Sequence, residues 1–341
     1  MRTLVIALVI GLSSIVLVVG GSFLYAQGPS NPRPTITSEA DFRRALKELS
    51  NWGRWGNDDE LGAANLITPA KRKQALALAK EGLTISLAHD VVQEKAVDAP
   101  NVLQRTLGNV APTGTTDTYQ YTGTYHGVAH SHLDSVDCHM MVDGKGYNGV
   151  SMEDINAQGG CPKGSINALK DGVVTRAILF DATRLPGKAT PQGWLDPGTA
   201  IHREDLETLE KLERVKVSAG DVILLYTGRW KRRAALGPWP NTAGFAGYHA
   251  DVAYFLKERG VSFIGGDGPN DVSPTGLPPT VTNPLHRLAL VAMGVDIFDN
   301  LDFERTVEQA RRLNRYEFLF MAAPLRIDKG TGSPLNPLAI F

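Results

Sequence analysis

Apolar positions change period several times along this chain, and the changes mark out its elements. Val173 to Asp181 (Val-Val-Thr-Arg-Ala-Ile-Leu-Phe-Asp) reads as a buried strand, and Val222 to Thr227 reads the same way. Between them, His202 to Val215 carries helical periodicity. Ala250 to Arg259 places Val252, Phe255 and Leu256 on one helical face, and Val261 to Gly265 follows as a strand ending in Gly266-Asp267-Gly268. Leu285 to Ala292 is apolar and helical, Tyr316 to Ile327 reads as a long strand, and Gly330 to Pro334 as a turn. Upstream, Ser38 with Asp41 forms a capping signature for a helix to about Leu49, and Thr68-Pro69 opens another to roughly Lys80. Thr115 to Tyr125, rich in Thr and Tyr, favours an extended chain. Interleaved helices and strands predict an α/β protein whose sheet is covered by helices. With no internal repeat or composition break, residues 39–341 are expected to form one domain.

The amino terminus follows a different pattern. After Met1-Arg2, the stretch from Leu4 to Leu24 is almost wholly apolar and uncharged, about 21 residues where roughly 20 span a bilayer. Residues 1–26 are therefore expected to be either a cleaved export signal or a retained membrane anchor through 4–25, with 27–38 as a proline-bearing tether. Either alternative places the body outside the cytoplasm, in the periplasm or the extracellular space. The remaining composition, 43% hydrophobic and 21% charged, suits a globular core, and a net charge of −1 leaves no electrostatic footprint for nucleic acid. The two cysteines, Cys138 and Cys161, form no CxxC pair. An oxidising compartment would allow them to bridge, while a buried free thiol at Cys138 is the competing reading.

The candidate chemistry is concentrated in one segment. Four of the eight histidines lie between His126 and His139. On a strand, His126, His130, His132 and Asp134 would share a face, since alternate side chains point the same way. Such a face is costly to bury dry, and a divalent metal is the partner that satisfies imidazoles and a carboxylate together. A serine triad is less attractive because no Gly-x-Ser-x-Gly elbow occurs. The loop from Asn51 to Pro69 holds two tryptophans, and Trp55 reads either as a structural pin or as a pocket wall.

Further residues carry a family resemblance. His132-Leu-Asp134 followed by His139, Trp55-Gly-Asn-Asp-Asp59, and Ala219-Gly-Asp-Val-Ile-Leu-Leu-Tyr-Thr-Gly228 belong to it. So do His249 ahead of a helix, His286 preceding Asp299, Ala323-Pro-Leu-Arg-Ile and the Gly-Thr-Gly-Ser-Pro334 ending. Together they resemble the metal-dependent cyclase family that includes kynurenine formamidase and isatin hydrolase. The resemblance implies a swivelling β/β/α single domain with a mixed central sheet covered by helices, assembled as a homodimer or homotetramer. It also implies hydrolysis of an amide-type C–N bond in a small molecule, a cyclic amide or an aryl formamide, with one divalent metal ion, zinc or manganese.

Carried over by position, His132, Asp134, His286 and Asp299 are the expected metal ligands, and His139 is the expected general acid/base. His126, His130, His249, Asp267 and Trp55 are expected around the substrate pocket. Four residues separate Asp134 from His139, one more than in the family core, and a bulge that absorbs the insertion would bring Asp137 toward the site. Val128 stands where relatives commonly carry a second-metal histidine, which favours a single ion. Two rival readings remain: an exported binding protein that keeps the fold, and a metal-dependent lyase or dehydratase.

Overall fold

The computed structural model describes residues 33–341 apart from Asp137 and Ala157, so the apolar leader, the first half of the tether and the expectation for Asp137 lie outside the described residues. Among the described residues no helix is long and apolar enough to cross a membrane. Pro34–Phe341 forms one compact unit, and Ile36, inside the expected tether, is already fully buried.

The strands in chain order begin with β1 (Thr84–Ser86), β2 (Leu103–Leu107), β3 (Asp117–Tyr121) and β4 (His132–Asp134). They continue with β5 (Val173–Asp181), β6 (Ala200–Ile201), β7 (Val222–Tyr226), β8 (Gly247–Tyr248) and β9 (Phe263–Gly266). The last four are β10 (Asp296–Asp299), β11 (Glu317–Ala322), β12 (Gly332–Pro334) and β13 (Leu338–Ile340). Nine of them form one mixed sheet, ordered β1-β13-β11-β5-β7-β9-β10-β4-β12. Its centre, β5-β7-β9-β10, is parallel, and antiparallel strands flank it on both sides.

Helices are α1 (Glu39–Glu48), α2 (Pro69–Leu76), α3 (Arg203–Leu212), α4 (Arg229–Leu236), α5 (Val252–Arg259), α6 (Pro284–His286) and α7 (Glu304–Leu313). The expected domain class, an α/β body with a mixed sheet under helices, is what the structure has. Both faces of the central strands are apolar because both are covered. Ile178, Phe180, Ile223, Leu225 and Ile264 face one core with Leu206 and Leu209 of α3 and Phe255 of α5. Ala177, Leu179, Leu224, Phe263 and Phe298 alternate with them and meet Phe318, Phe320 and Val307 of α7 on the other side.

Three expectations are corrected. The strand expected to run to Ile327 stops at Ala322, two residues before Pro324, whose ring nitrogen has no proton for a ladder. The apolar helix after Pro284 is π-helical from Arg287 to Met293, a form found often at functional sites. The histidine stretch is not one long strand, because β4 covers only His132–Asp134. Residues 126–131 make turns instead, since Asn300 Nδ2 donates to the carbonyls of Gly127 and His130, and Arg229 donates to that of Val128.

β4 is short but tightly bracketed. In register, His132 lies opposite Asp299 of β10 and Pro334 of β12, and Asp134 opposite Ile297 and Gly332. Glycine is needed at 332, because a Cβ there would collide with the Leu133 carbonyl and crowd the His126 ring. Leu133 points away from its neighbours into the core and is fully buried. Leu133→Ala should therefore lower stability by about 2–5 kcal/mol, measured by urea unfolding of metal-free protein. It should weaken divalent-metal binding as well, since the same three residues present His132 and Asp134.

Candidate functional site

Strand periodicity turns His132 and Asp134 to one face of β4, and Asp299 at the end of β10 comes up beside them through the β4–β10 register. The fourth group arrives from a helix start. Asn283, with a left-handed backbone (φ 46°), caps α6, and Pro284 occupies its first position. The Asp271 carboxylate accepts from the backbone N–H groups of Leu285 and His286 and lies 2.5 Å from His286 Nδ1. One side chain thus fixes both the helix start and the imidazole. His286 Nε2 then lies 3.3 Å from Asp299 Oδ2 and 3.7 Å from Asp134 Oδ2.

His132 is oriented in the same manner. Its Nδ1 lies 2.8 Å from the His130 carbonyl, which can only accept, so Nδ1 carries a proton and Nε2 faces inward. That Nε2 lies 3.3 Å from Asp134 Oδ1 and 4.0 Å from Asp299 Oδ2. Asn270 Nδ2 donates to Asp299 Oδ1 and holds the carboxylate. His132, Asp134, His286 and Asp299 are at most 4% exposed, so they cannot rely on water for neutralisation.

The spacing is open. At 3.3 Å the His132–Asp134 and His286–Asp299 pairs are at the long end of hydrogen bonding, and the 3.7 and 4.0 Å pairs lie beyond it. Donors bound at about 2.0–2.2 Å around a tetrahedral ion lie roughly 3.3–3.6 Å apart. Two overlapping groups suited to a metal are present: Asp134 with His286 and Asp299, and Asp134 with His126 and His132.

The electrostatics agree with a site that demands positive charge. Burial alone would lower His132, but the Asp134 charge, its hydrogen bond and the Asp299 charge raise it to about 9. Burial opposes a cation at His286 too, and Asp299 and Asp271 raise it well above its ordinary value. Burial would raise Asp134, yet the charges of His132 and His139 hold it far below the usual carboxylate range. Without metal these carboxylates recruit protons onto imidazoles, and a bound ion would displace them.

Two further histidines stand at the edge of the cluster. His139 Nε2 lies 3.3 Å from Asp134 Oδ2. Burial is the main influence on His139 and brings it down to about 4; Asp134 pulls upward, while His126, His286 and His132 reinforce burial. His126 Nδ1 lies 2.7 Å from Asp134 Oδ1, and its Nε2 is 3.0 Å from Thr331 Oγ1. The two rings stack with centroids 4.1 Å apart. All six residues open onto a cavity of about 410 Å³, walled also by Met140, Phe245, Val272 and Asn283.

Other expected pocket residues lie elsewhere. His130 is buried, with Nε2 3.0 Å from the Asn101 carbonyl and its edge against Tyr121, so it faces away from the cluster. Asp267 is fully buried and accepts from Thr227 Oγ1 and the backbone N–H groups of Thr227, Gly228 and Arg229, anchoring the turn into α4. Trp55 packs under the Arg54 guanidinium against the core and does not line the cavity.

His249 joins His202 and Asp251 in a separate group. There Asp251 Oδ2 lies 2.7 Å from His202 Nδ1 and 3.0 Å from His249 Nδ1, which is hydrogen-bond spacing. Of the two readings for the cysteines, the structure has the bridge: Cys138 and Cys161 form a disulfide.

Sequence reasoning missed Asp271, Asn270 and Thr331. The first two were accessible in principle. They follow the carboxyl end of β9, where α/β sheets collect ligand-binding groups, in a run of Gly, Pro and Asn that turns the chain sharply. Thr331 lies in the Gly-Thr-Gly-Ser-Pro334 ending that carries the resemblance, but nothing there marks its side chain for the site.

A mixed sheet that gathers buried carboxylates and imidazoles at β4, β10 and the start of α6 defines an α/β protein with a candidate metal centre. Residues 82–271, more than half of the chain, match the putative cyclase family, and the chain belongs to that family. No curated protein matches it. A solved structure described as a novel cyclase is 26% identical with a TM-score of 0.74, covering 87% of this chain and 99% of its own. Isatin hydrolase A from Labrenzia aggregata, solved with benzyl benzoate, is 18% identical with a TM-score of 0.53, covering 79% and 98%. An isatin hydrolase solved with the product analogue thioisatinate is 16% identical with a TM-score of 0.53, covering 80% and 99%. The last two likenesses concern the fold.

Asp271→Asn keeps the volume but weakens the partner that orients His286. It should lower divalent-metal affinity about 10- to 100-fold with the fold intact, measured by competition against a chromophoric chelator. An unchanged affinity would mean that His286 is not a ligand.

Proposed function

We propose that this chain is an exported, metal-dependent hydrolase of an amide-type C–N bond in a small molecule, a cyclic amide or an aryl formamide. The observation that carries the reading is the convergence of His132, Asp134, His286 and Asp299 on a cavity of about 410 Å³, with donor atoms of Asp134, His286 and Asp299 close enough to share an ion and His132 beside Asp134. His139 stands beside them on the same cavity. The four residues would hold one divalent ion, and a donor set of imidazole and carboxylate without thiolate suits zinc or manganese.

When bound, such an ion polarises a carbonyl and makes a water acidic near neutral pH. His139 Nε2, kept unprotonated by burial, is placed to accept the water's proton and to return it to the departing nitrogen. His126 fixes the Asp134 carboxylate: with Nδ1 donating to Asp134, its Nε2 accepts from the Thr331 hydroxyl. Met140, Phe245 and Val272 supply an apolar wall for a ring. Aromatic ligands in the isatin hydrolases of the same fold are of the kind such a wall receives. The apolar run in residues 1–26 supports export, with or without retention as an anchor, and the disulfide suits an oxidising compartment. A homodimer or homotetramer is proposed from the family resemblance alone.

Turnover of a panel of formanilides, isatin-like lactams and lactones, with and without chelator, tests this reading. One chemical class should be turned over, activity should vanish on chelation and return with zinc or manganese, and His132→Ala should lose the metal. His139→Ala should keep the metal and lower kcat about 10²- to 10⁴-fold. Full metal occupancy with no turnover of any member would overturn the hydrolase in favour of a binding protein.

A further inference from the structure

His139 sits in neither a helix nor a strand. It lies in the irregular turn that follows β4, four residues beyond Ser135. Its Nε2 nevertheless comes within 3.3 Å of Asp134, and its ring stacks on His126. Cys138, the residue immediately before it, is bridged to Cys161. Cys161 is 1% exposed, and its N–H donates to the Lys329 carbonyl at 3.2 Å. Gly160, with φ 62°, packs so closely on Lys329 that a Cβ would meet the Lys329 carbonyl oxygen at 2.7 Å.

The segment receiving this anchor is the one that meets the metal-binding strand. Thr331 accepts from the Ser135 N–H through its carbonyl at 3.1 Å and contacts His126 through its hydroxyl. Gly332 pairs with Asp134. The disulfide therefore ties the His139 turn to the edge of the sheet that carries Asp134.

We propose that the Cys138–Cys161 disulfide is a positioning device that holds His139 against Asp134, making the site fully active only when the bridge is formed. The proposal rests on the reading of His139 as the proton-transfer group. A covalent tie at the adjacent residue confines the backbone where the extra residue before His139 would otherwise let the imidazole wander. Misplacement of a reacting group by about 1 Å can cost about 10²-fold in rate. Opening the bridge needs two electrons and two protons. A dithiol such as dithiothreitol supplies them, leaving two thiols on the protein and closing to its own cyclic disulfide.

The test uses the zinc-loaded full chain as purified, the same protein reduced with dithiothreitol, and the Cys138→Ser/Cys161→Ser variant. Loss of the bridge should lower kcat about 10²-fold with KM, zinc content and circular dichroism nearly unchanged. His139→Gln should then cost little more, although it costs the full factor in the bridged protein. Reoxidation of the reduced protein should restore turnover. If the variant does not fold, the reduced native protein carries the comparison.

A readout independent of turnover is the His139 Cε1–H resonance in histidine-labelled protein. It should lose its ring-current shift from His126 when the bridge opens. An unmoved resonance, or a His139→Gln effect of equal size with and without the bridge, overturns the proposal. A resonance that moves in a protein that turns over no substrate supports the positioning and overturns only the hydrolase reading.

Discussion

Two buried carboxylates set diagonally on adjacent strands are the constraint on which the site depends. Asp134 on β4 and Asp299 on β10 are nearly inaccessible to water, and negative charge at that depth is tolerable only beside positive charge. The surroundings answer that demand in layers. His132 and His286 turn their Nε2 atoms inward, and their Nδ1 atoms are spent on the His130 carbonyl and on Asp271. Asn270 and His126 fix the carboxylates, and Thr331 fixes His126. Each contact restricts rotation of a group whose position matters at the scale of a metal bond.

The same constraint explains why the sheet has its form. Parallel strands β5, β7, β9 and β10 build the rigid core. β4 and β12 then extend it in the antiparallel sense, so that the three-residue β4 is held on both edges. A strand this short would not persist alone, and bracketing lets it display two candidate ligands from consecutive positions of one face.

Much of this was legible in the chain. The alternation in Val173–Asp181 and Val222–Tyr226 marks strands buried on both sides, and the odd and even positions do separate into two cores. Period two also paired His132 with Asp134. The same parity misled at His130, because the strand begins only at His132 and the preceding turn is shaped by Asn300 and Arg229, 171 and 100 residues ahead of Ala129 and therefore invisible to a local window. As candidate ligands, His286 and Asp299 are reachable only through the family resemblance, since nothing in their own neighbourhoods sets them apart from ordinary helix or strand residues. Asp267 is expected at the pocket or as a cap of the next turn, and the structure gives it the turn, while Asp271 four residues on reaches the site. Both follow the same strand, and only tertiary contact separates the one that anchors α4 from the one that orients His286.

The cluster of His202, His249 and Asp251 sharpens the assignment by contrast. It holds the right residue types, but its contacts at 2.7 and 3.0 Å are hydrogen bonds, whereas His286 stands 3.3 and 3.7 Å from Asp299 and Asp134, with room for an ion between them. Anomalous diffraction from crystals grown with zinc or manganese tests that distinction most directly. The account predicts one peak, bonded at about 2.0–2.2 Å to Nε2 of His132 and His286 and to oxygens of Asp134 and Asp299. A peak between His202, His249 and Asp251 instead, or none at Asp134 with metal in excess, would contradict it.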